Sequence, residues 1–311
     1  MNLTESERPE KSPYLQLLSL GLYAIAGVFV SSILALLVLY FMYGEFMNSG
    51  WLLTTDPKFV SVNRVMISLQ QVGLFLAPAL FLALGEGKKT TVFYGFKQPK
   101  TTMVLLITGI MAVSMPILEF SMQLNQKMIL PEFLKGLEHW MKTQEDAAME
   151  TTEALLKMDN ISTYLLNIAL IAVLPAVSEE LMFRGAIQRS LGRMFNNPHV
   201  AIWVAAFVFS AIHIQFYGFL PRFLLGAGFG YIYLWTKSLW YSIFAHFLNN
   251  AYAVTAAWYM QKNNIPLSES DKTTHFQWYG YIISAILTFL IFKYFKNKAS
   301  KDDGEQLEKS F

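Results

Sequence analysis

The chain has 311 residues, of which 54% are hydrophobic and only 15% are charged, and its mean hydropathy is +0.36. Soluble domains carry about 25% charged residues, so the composition is typical of a membrane protein. The absence of cysteine excludes disulfides, thiolate metal sites and cysteine nucleophiles. A net charge of +2, without a basic run interleaved with aromatics, predicts no nucleic-acid partner.

Long stretches without any charged residue predict an all-α, polytopic membrane helix bundle. About 20 apolar residues are needed to cross the hydrocarbon core as a helix. The sixth predicted span is the shortest, and Arg222 is expected to snorkel from its end. We expect one membrane domain over 1–311, with about eight transmembrane helices near 15–43, 65–86, 102–122, 162–188, 199–216, 220–236, 239–260 and 277–295.

Two segments outside these spans have distinct compositions. Segment 123–161 holds seven acidic residues and four lysines, and we interpret it as an extramembrane loop. Apolar residues recur in it at helical spacing, which predicts an amphipathic, interfacial helix; they are Leu134, Leu137, Trp140 and Met141. The segment 296–311 is charged, and we expect a disordered tail there.

The distribution of Lys and Arg predicts the orientation. If the N-terminus lies inside, the inner segments hold 14 of these residues and the longer outer segments hold 9. Cytoplasmic loops are enriched in Lys and Arg. We therefore expect an integral, multi-pass protein with both termini in the cytoplasm.

The sequence Ser-Glu-Glu-Leu-Met-Phe-Arg-Gly at residues 178–185 follows an apolar run directly. An ionised group at mid-bilayer costs roughly 2.5–3.5 kcal/mol, so such residues usually face a bundle interior and mark a functional path. Glu180 and Arg184 are four residues apart, share a helix face and are expected to pair. Glu179 points about 100° away and is the candidate general base or acid. A cluster that snorkels at a helix end is the structural alternative.

Two later spans carry the remaining candidates. His213 follows an apolar run from Val200 and, taken alone, reads best as a hydrogen-bonded core residue. His246 and Asn250 are four residues apart and offer two donors on one helix face, as an oxyanion hole requires. Asn249 points elsewhere and is a weaker candidate. Pro175 is expected to open the helix beside the site, and close helix packing is expected at Gly226, Gly228 and Gly230.

The set Glu179-Glu180-x-x-x-Arg184, Phe209-x-x-x-His213 and His246-x-x-x-Asn250 resembles the CAAX-protease and bacteriocin-processing (CPBP, or Abi) family of intramembrane proteases. The resemblance covers about 162–252, which would form the catalytic core. It implies that Glu179 and His213 activate a water molecule and that His246 and Asn250 stabilise the oxyanion. Glu180, Arg184 and Phe209 would support the site. The implied partners are membrane lipids and a membrane-associated or lipid-modified peptide or protein, in a bacterial cytoplasmic membrane.

Metal use and the function class leave alternatives open. Relatives are often labelled metalloproteases, and Glu179, His213 and His246 match the ligand types of some catalytic zinc sites. The chain lacks a His-Glu-x-x-His helix, however, and Asn250 is a poor zinc ligand, so water activation without a cofactor is the favoured prediction. A proton-coupled transporter also buries Glu and His, but it would more often show two related halves. A non-catalytic scaffold or immunity protein is the third hypothesis.

Overall fold

The computed structural model of the protein describes residues 9–267 and 276–308, with side chains described as far as residue 300. These residues form ten helices and two short 3₁₀ turns, and no strand occurs among them, which confirms the predicted all-α class. The helices are α1 Pro13–Tyr43, α2 Phe59–Gly85, α3 Thr90–Phe93, α4 Thr101–Gln126, α5 Lys135–Leu155, α6 Ile161–Phe195, α7 Pro198–Ala211, α8 Phe219–Thr236, α9 Leu239–Lys262 and α10 Trp278–Glu308.

Each of the eight predicted spans coincides with one of these helices. Within the described ranges, α1, α2, α4, α6 and the segment Trp278–Ser300 of α10 are long and apolar enough to cross a membrane. Large apolar side chains such as Phe29, Phe41 and Phe289 remain exposed on α1 and α10. A soluble protein rarely exposes so much contiguous apolar surface, whereas lipid tails are its natural surroundings. The protein is an integral membrane protein.

Helices α6 and α8 run parallel and are in contact. Arg184 Nη2 donates to the Gly226 carbonyl at 2.9 Å, and Gln188 Nε2 donates to the Gly230 carbonyl at 3.1 Å. A Cβ atom at Gly230 would lie 2.6 Å from Gln188 Oε1, and one at Gly226 would lie 3.1 Å from the Phe209 ring. The predicted close packing therefore occurs at these two glycines. Gly228 faces α10 instead, where a Cβ would make an ordinary contact at 3.7 Å.

The end of α7 differs from the predicted span 199–216, because the helix stops at Ala211. The His213 ring, rather than a backbone N–H, bonds to the Phe209 carbonyl, and Ile214 then turns the chain with φ of 54°. The 14 residues of α7 are about 21 Å long, less than the roughly 30 Å of a hydrocarbon core. The loop 212–218, which joins α7 to α8, therefore lies within the thickness of the hydrocarbon core.

The structure describes the segment 123–161 and most of the segment 296–311. The interfacial helix predicted in 123–161 corresponds to α5, where Leu137 and Trp140 remain exposed. The tail 296–311 is not disordered throughout, because 296–308 continue α10. Extending a formed helix requires no new nucleation, and this outweighs the low helix propensity of Asp302, Asp303 and Gly304. Residues 309–311 lie outside the described part of the chain.

Candidate active site

Glu179 and Glu180 lie between two π-helical segments of α6, Ile168–Val173 and Leu181–Gln188. A π-helical turn inserts an extra residue and redirects the side chains around it, and such turns are frequent at functional sites. Both glutamates are buried, with exposed fractions of 7% and 0%. A buried carboxylate is tolerated only with hydrogen-bonding or charged partners, so their partners define the site.

Glu180 bridges two cationic or potentially cationic groups. Arg184 Nη1 donates to Glu180 Oε1 at 2.6 Å, as the four-residue spacing predicts. His246 Nδ1 lies 2.9 Å from the same oxygen, and since a carboxylate accepts, this nitrogen carries the proton. The guanidinium also packs over the rings of Phe209 and Phe229, 4.6 and 5.4 Å from their centroids. Glu180 therefore orients His246 as well as neutralising Arg184.

Glu179 has a different set of contacts. Gln71 Nε2, from α2, donates to its Oε1 at 2.6 Å. Its Oε2 lies 3.8 Å from His246 Nε2, a separation longer than a direct hydrogen bond. A gap of this size between two polar atoms can hold a bridging water. The arrangement leaves one oxygen of Glu179 fixed and the other directed toward an imidazole.

His213 lies in the loop 212–218, immediately after α7, and packs against the Phe209 ring with centroids 5.3 Å apart. The His246 ring also packs against Phe209, at 5.9 Å. His213 Nδ1 is 2.8 Å from the Phe209 carbonyl, which can only accept, so Nδ1 carries the proton. In the neutral ring Nε2 is then an acceptor. The rings of both histidines therefore contact Phe209, and Nε2 of His213 is the ring nitrogen that carries no proton.

Asn250 is held by two hydrogen bonds. Its Nδ2 donates to the Ile171 carbonyl at 3.3 Å, and its Oδ1 accepts from Asn249 at 3.2 Å. Ile171 lies in the π-helical segment Ile168–Val173, so Asn250 ties α9 to this irregular part of α6. One of the two N–H groups of the Asn250 amide stays available.

The zinc alternative can be tested against the donor set. Among the described residues, no three His, Asp or Glu side chains form a group that could hold a metal ion. His213 and His246 each donate one ring N–H to a protein acceptor, which leaves Nε2 of each ring as a possible ligand, and Gln71 occupies one oxygen of Glu179. In this arrangement the three side chains are not grouped around one metal position, and we derive no step through zinc.

Two residues of this site, Gln71 and Phe229, were not among the sequence candidates. Gln71 had a signal in the sequence, since an amide inside the apolar run 65–86 needs a polar partner. Phe229, whose ring stacks on His246 with centroids 5.3 Å apart, had none, because aromatic residues are common in every span. Asn249, the weaker candidate, donates a hydrogen bond to Asn250 and so orients it.

Residues 161–252 match the family described as Rce1-like, Type II CAAX prenyl endopeptidase. The match coincides with the predicted core 162–252 and confirms the resemblance inferred from the motifs. An uncharacterized protein of Bacillus subtilis (strain 168), YpbD, is 28% identical over 89 residues, which are 27% of this chain and 42% of that protein. The chain thus spans less than half of that curated relative. No solved structure matches this chain significantly.

Proposed function

We propose that the protein is an intramembrane endopeptidase that hydrolyses a peptide bond of a membrane-associated or lipid-modified protein or peptide. The observation that carries this proposal is the buried carboxylate of Glu179, fixed by Gln71 on one oxygen and 3.8 Å from His246 on the other. The match to a prenyl endopeptidase family supports the reaction class. A lipid-modified chain segment would also partition to the depth at which this site lies.

In the proposed first step, Glu179 takes a proton from a water molecule while the water oxygen attacks the carbonyl carbon of the scissile bond. His213 accepts a hydrogen bond from the same water through its unprotonated Nε2, and thereby orients the oxygen lone pair. The carbonyl becomes a tetrahedral oxyanion. When it collapses, the C–N bond breaks and the proton on Glu179 moves to the leaving nitrogen, which gives a carboxylic acid and an amine.

His246 and Asn250 are the proposed oxyanion donors. The oxyanion role requires His246 to carry a proton on both ring nitrogens. The protonated ring donates through Nδ1 to Glu180 and has Nε2–H available for the oxyanion. Asn250 contributes the N–H that Ile171 does not use. Fixed donors in a site without bulk water stabilise developing charge strongly.

The cellular setting belongs to the same proposal. The excess of Lys and Arg on the inner segments supports a cytoplasmic location of both termini, and the bacterial relative supports a bacterial cytoplasmic membrane. We propose that the reaction uses the Glu–His pair without a metal ion. This is supported by Asn250, which shares a helix face with His246 and is a poor zinc ligand but a suitable oxyanion donor.

The test compares the ends of membrane proteins in cells that express the wild type or Glu179→Gln. Asp146→Asn, an exposed acid on α5, is the matched control. We expect shortened termini with the wild type and the control, and their absence with Glu179→Gln and with His213→Ala. Near wild-type cleavage by either of these two variants, each folded in detergent, refutes the water-activation roles.

The metal question has its own measurement on the purified protein. We expect substoichiometric metal by elemental analysis and turnover that survives a dialysed chelator. One bound zinc per chain, with activity lost to the chelator and restored by zinc, would replace the metal-free mechanism and leave the protease assignment intact.

A further inference from the structure

Arg222, in the first turn of α8, is a partly buried cation that the proposed reaction does not use. The sequence predicts that it snorkels from the end of its span, and the structure adds a specific partner for its guanidinium. Its Nη2 donates to Gln215 Oε1 at 2.6 Å, on the loop 212–218. Since Gln215 is two residues after His213, the guanidinium is tied to the loop that carries a proposed catalytic residue.

The register between α6 and α8 sets the depth of Arg222. Arg184 bonds to Gly226 and Gln188 bonds to Gly230, so partners differ by 42 in both pairs. One turn earlier in each helix, the same register brings Arg222 level with Glu180. Arg222 also lies close enough to Glu145, Glu179 and His213 to interact with all three electrostatically. It therefore belongs to the edge of the candidate active site.

The hydrogen bonds of this guanidinium are incomplete. Nη1 is closed off from solvent, and none of the residues described with side chains offers it an acceptor. An arginine at membrane depth is costly, and a buried donor without a partner adds to that cost. If Arg222 only held the loop in place, the hydrogen bond from Nη2 to Gln215 would be sufficient. That role does not explain why Nη1 is enclosed without an acceptor. An additional acceptor, such as an oxygen of a bound anion, would satisfy it.

We propose that Arg222 binds a carboxylate group of the substrate beside the scissile bond. This inference rests on the proposed endopeptidase function. A guanidinium presents paired N–H donors that match the two oxygens of a carboxylate. Because Nη1 is closed off from solvent, its access to a substrate requires a displacement of the loop 212–218, in which Ile214 holds a φ of 54° that is unfavourable for a β-branched residue. The carboxylate is either the chain terminus or an acidic side chain.

The test measures binding rather than cleavage, on Glu179→Gln protein in lipid nanodiscs. Three pools of dansylated, S-farnesylated peptides are compared: free acids with neutral side chains, C-terminal amides with neutral side chains, and C-terminal amides with one Asp. We expect either the acid pool or the Asp pool to bind about 10- to 100-fold more tightly than the neutral amides, the range for a hydrogen bond to a charged group. The pool that gains identifies the source of the carboxylate.

Variants of Arg222 and Gln215 show which residue produces the preference for a carboxylate. In the Glu179→Gln background, Arg222→Gln should reduce the preference to within about twofold, and Arg222→Lys, which keeps the charge but not the paired donors, should retain part of it. Gln215→Ala removes the loop contact only and should keep the full preference. If Arg222→Gln does not fold, a reduced preference in Arg222→Lys carries the test.

Equal binding of all pools, binding of none, or a preference that survives Arg222→Gln overturns the proposal. The proposed endopeptidase function is judged separately, by cleavage with the wild type. A carboxylate preference without any cleavage would count against the enzyme and not against the carboxylate site.

Discussion

Replacing Arg184 with alanine should destabilise the whole bundle, because this side chain satisfies several buried groups at once. Its side chain is 2% exposed, it donates to Glu180 at 2.6 Å, and it donates to the Gly226 carbonyl at 2.9 Å. Removing one partner of a buried ion pair costs about 3–5 kcal/mol. An unsatisfied buried carbonyl adds roughly 1–3 kcal/mol. The expected loss in the free energy of unfolding is thus about 4–8 kcal/mol.

The assay is thermal unfolding in detergent, measured beside turnover. At roughly 2 °C per kcal/mol for a chain of this size, Arg184→Ala should lower Tm by about 8 °C or more. Glu180→Ala should behave similarly, and the double variant should lose less than the sum of the two single losses, because the two residues interact. Turnover should fall as well, since Glu180 orients His246.

Lys135→Ala is the control. Lys135, at the start of α5, pairs with Glu132 at 2.9 Å, but 60% of its side chain is exposed. Such a pair contributes at most about 1 kcal/mol, so Tm should move by no more than about 2–3 °C. An Arg184→Ala protein with unchanged Tm and no turnover would refute the supporting role and assign the pair to the reaction itself.

Three further expectations concern the site, the packing and the charged end of the bundle. Asn250→Ala should reduce turnover about 10²–10³-fold, the usual loss for one oxyanion donor. Gln71→Ala should also reduce turnover while Tm changes little. Full activity of either variant would exclude the proposed role of that residue. Gly230→Ala should destabilise the protein by about 1–3 kcal/mol through the clash with Gln188, whereas Gly228→Ala, where a methyl group fits, should be nearly neutral by thermal unfolding. Burial opposes ionisation of Glu10, but Arg189 and Lys88 outweigh it and lower its pKa to about 2; the stability it contributes is therefore present above its unfolded pKa near 4.5 and is lost as pH falls toward 2. The difference in Tm between wild type and Glu10→Gln should be largest near neutral pH and disappear toward pH 2, and a difference that does not depend on pH would contradict this.

The sequence by itself determined the features that depend on local geometry. Runs without charge specify membrane helices, because backbone groups in hydrocarbon must bond internally. The spacing of Glu180 and Arg184 specifies their pairing, since four residues return a helix to the same face. The identities of the motif residues carried the resemblance that the match over 161–252 later confirmed.

Only the tertiary structure decided which helices supply the partners. Gln71 bonds to Glu179 across 108 positions of sequence, and His246 bonds to Glu180 across 66. Such contacts depend on the rotation, tilt and register of packed helices, which spacing within one helix does not encode. The same reason explains Arg222. In the sequence it is a charge near a span's end, whereas the packing of α6 and α8 brings it level with the buried carboxylates.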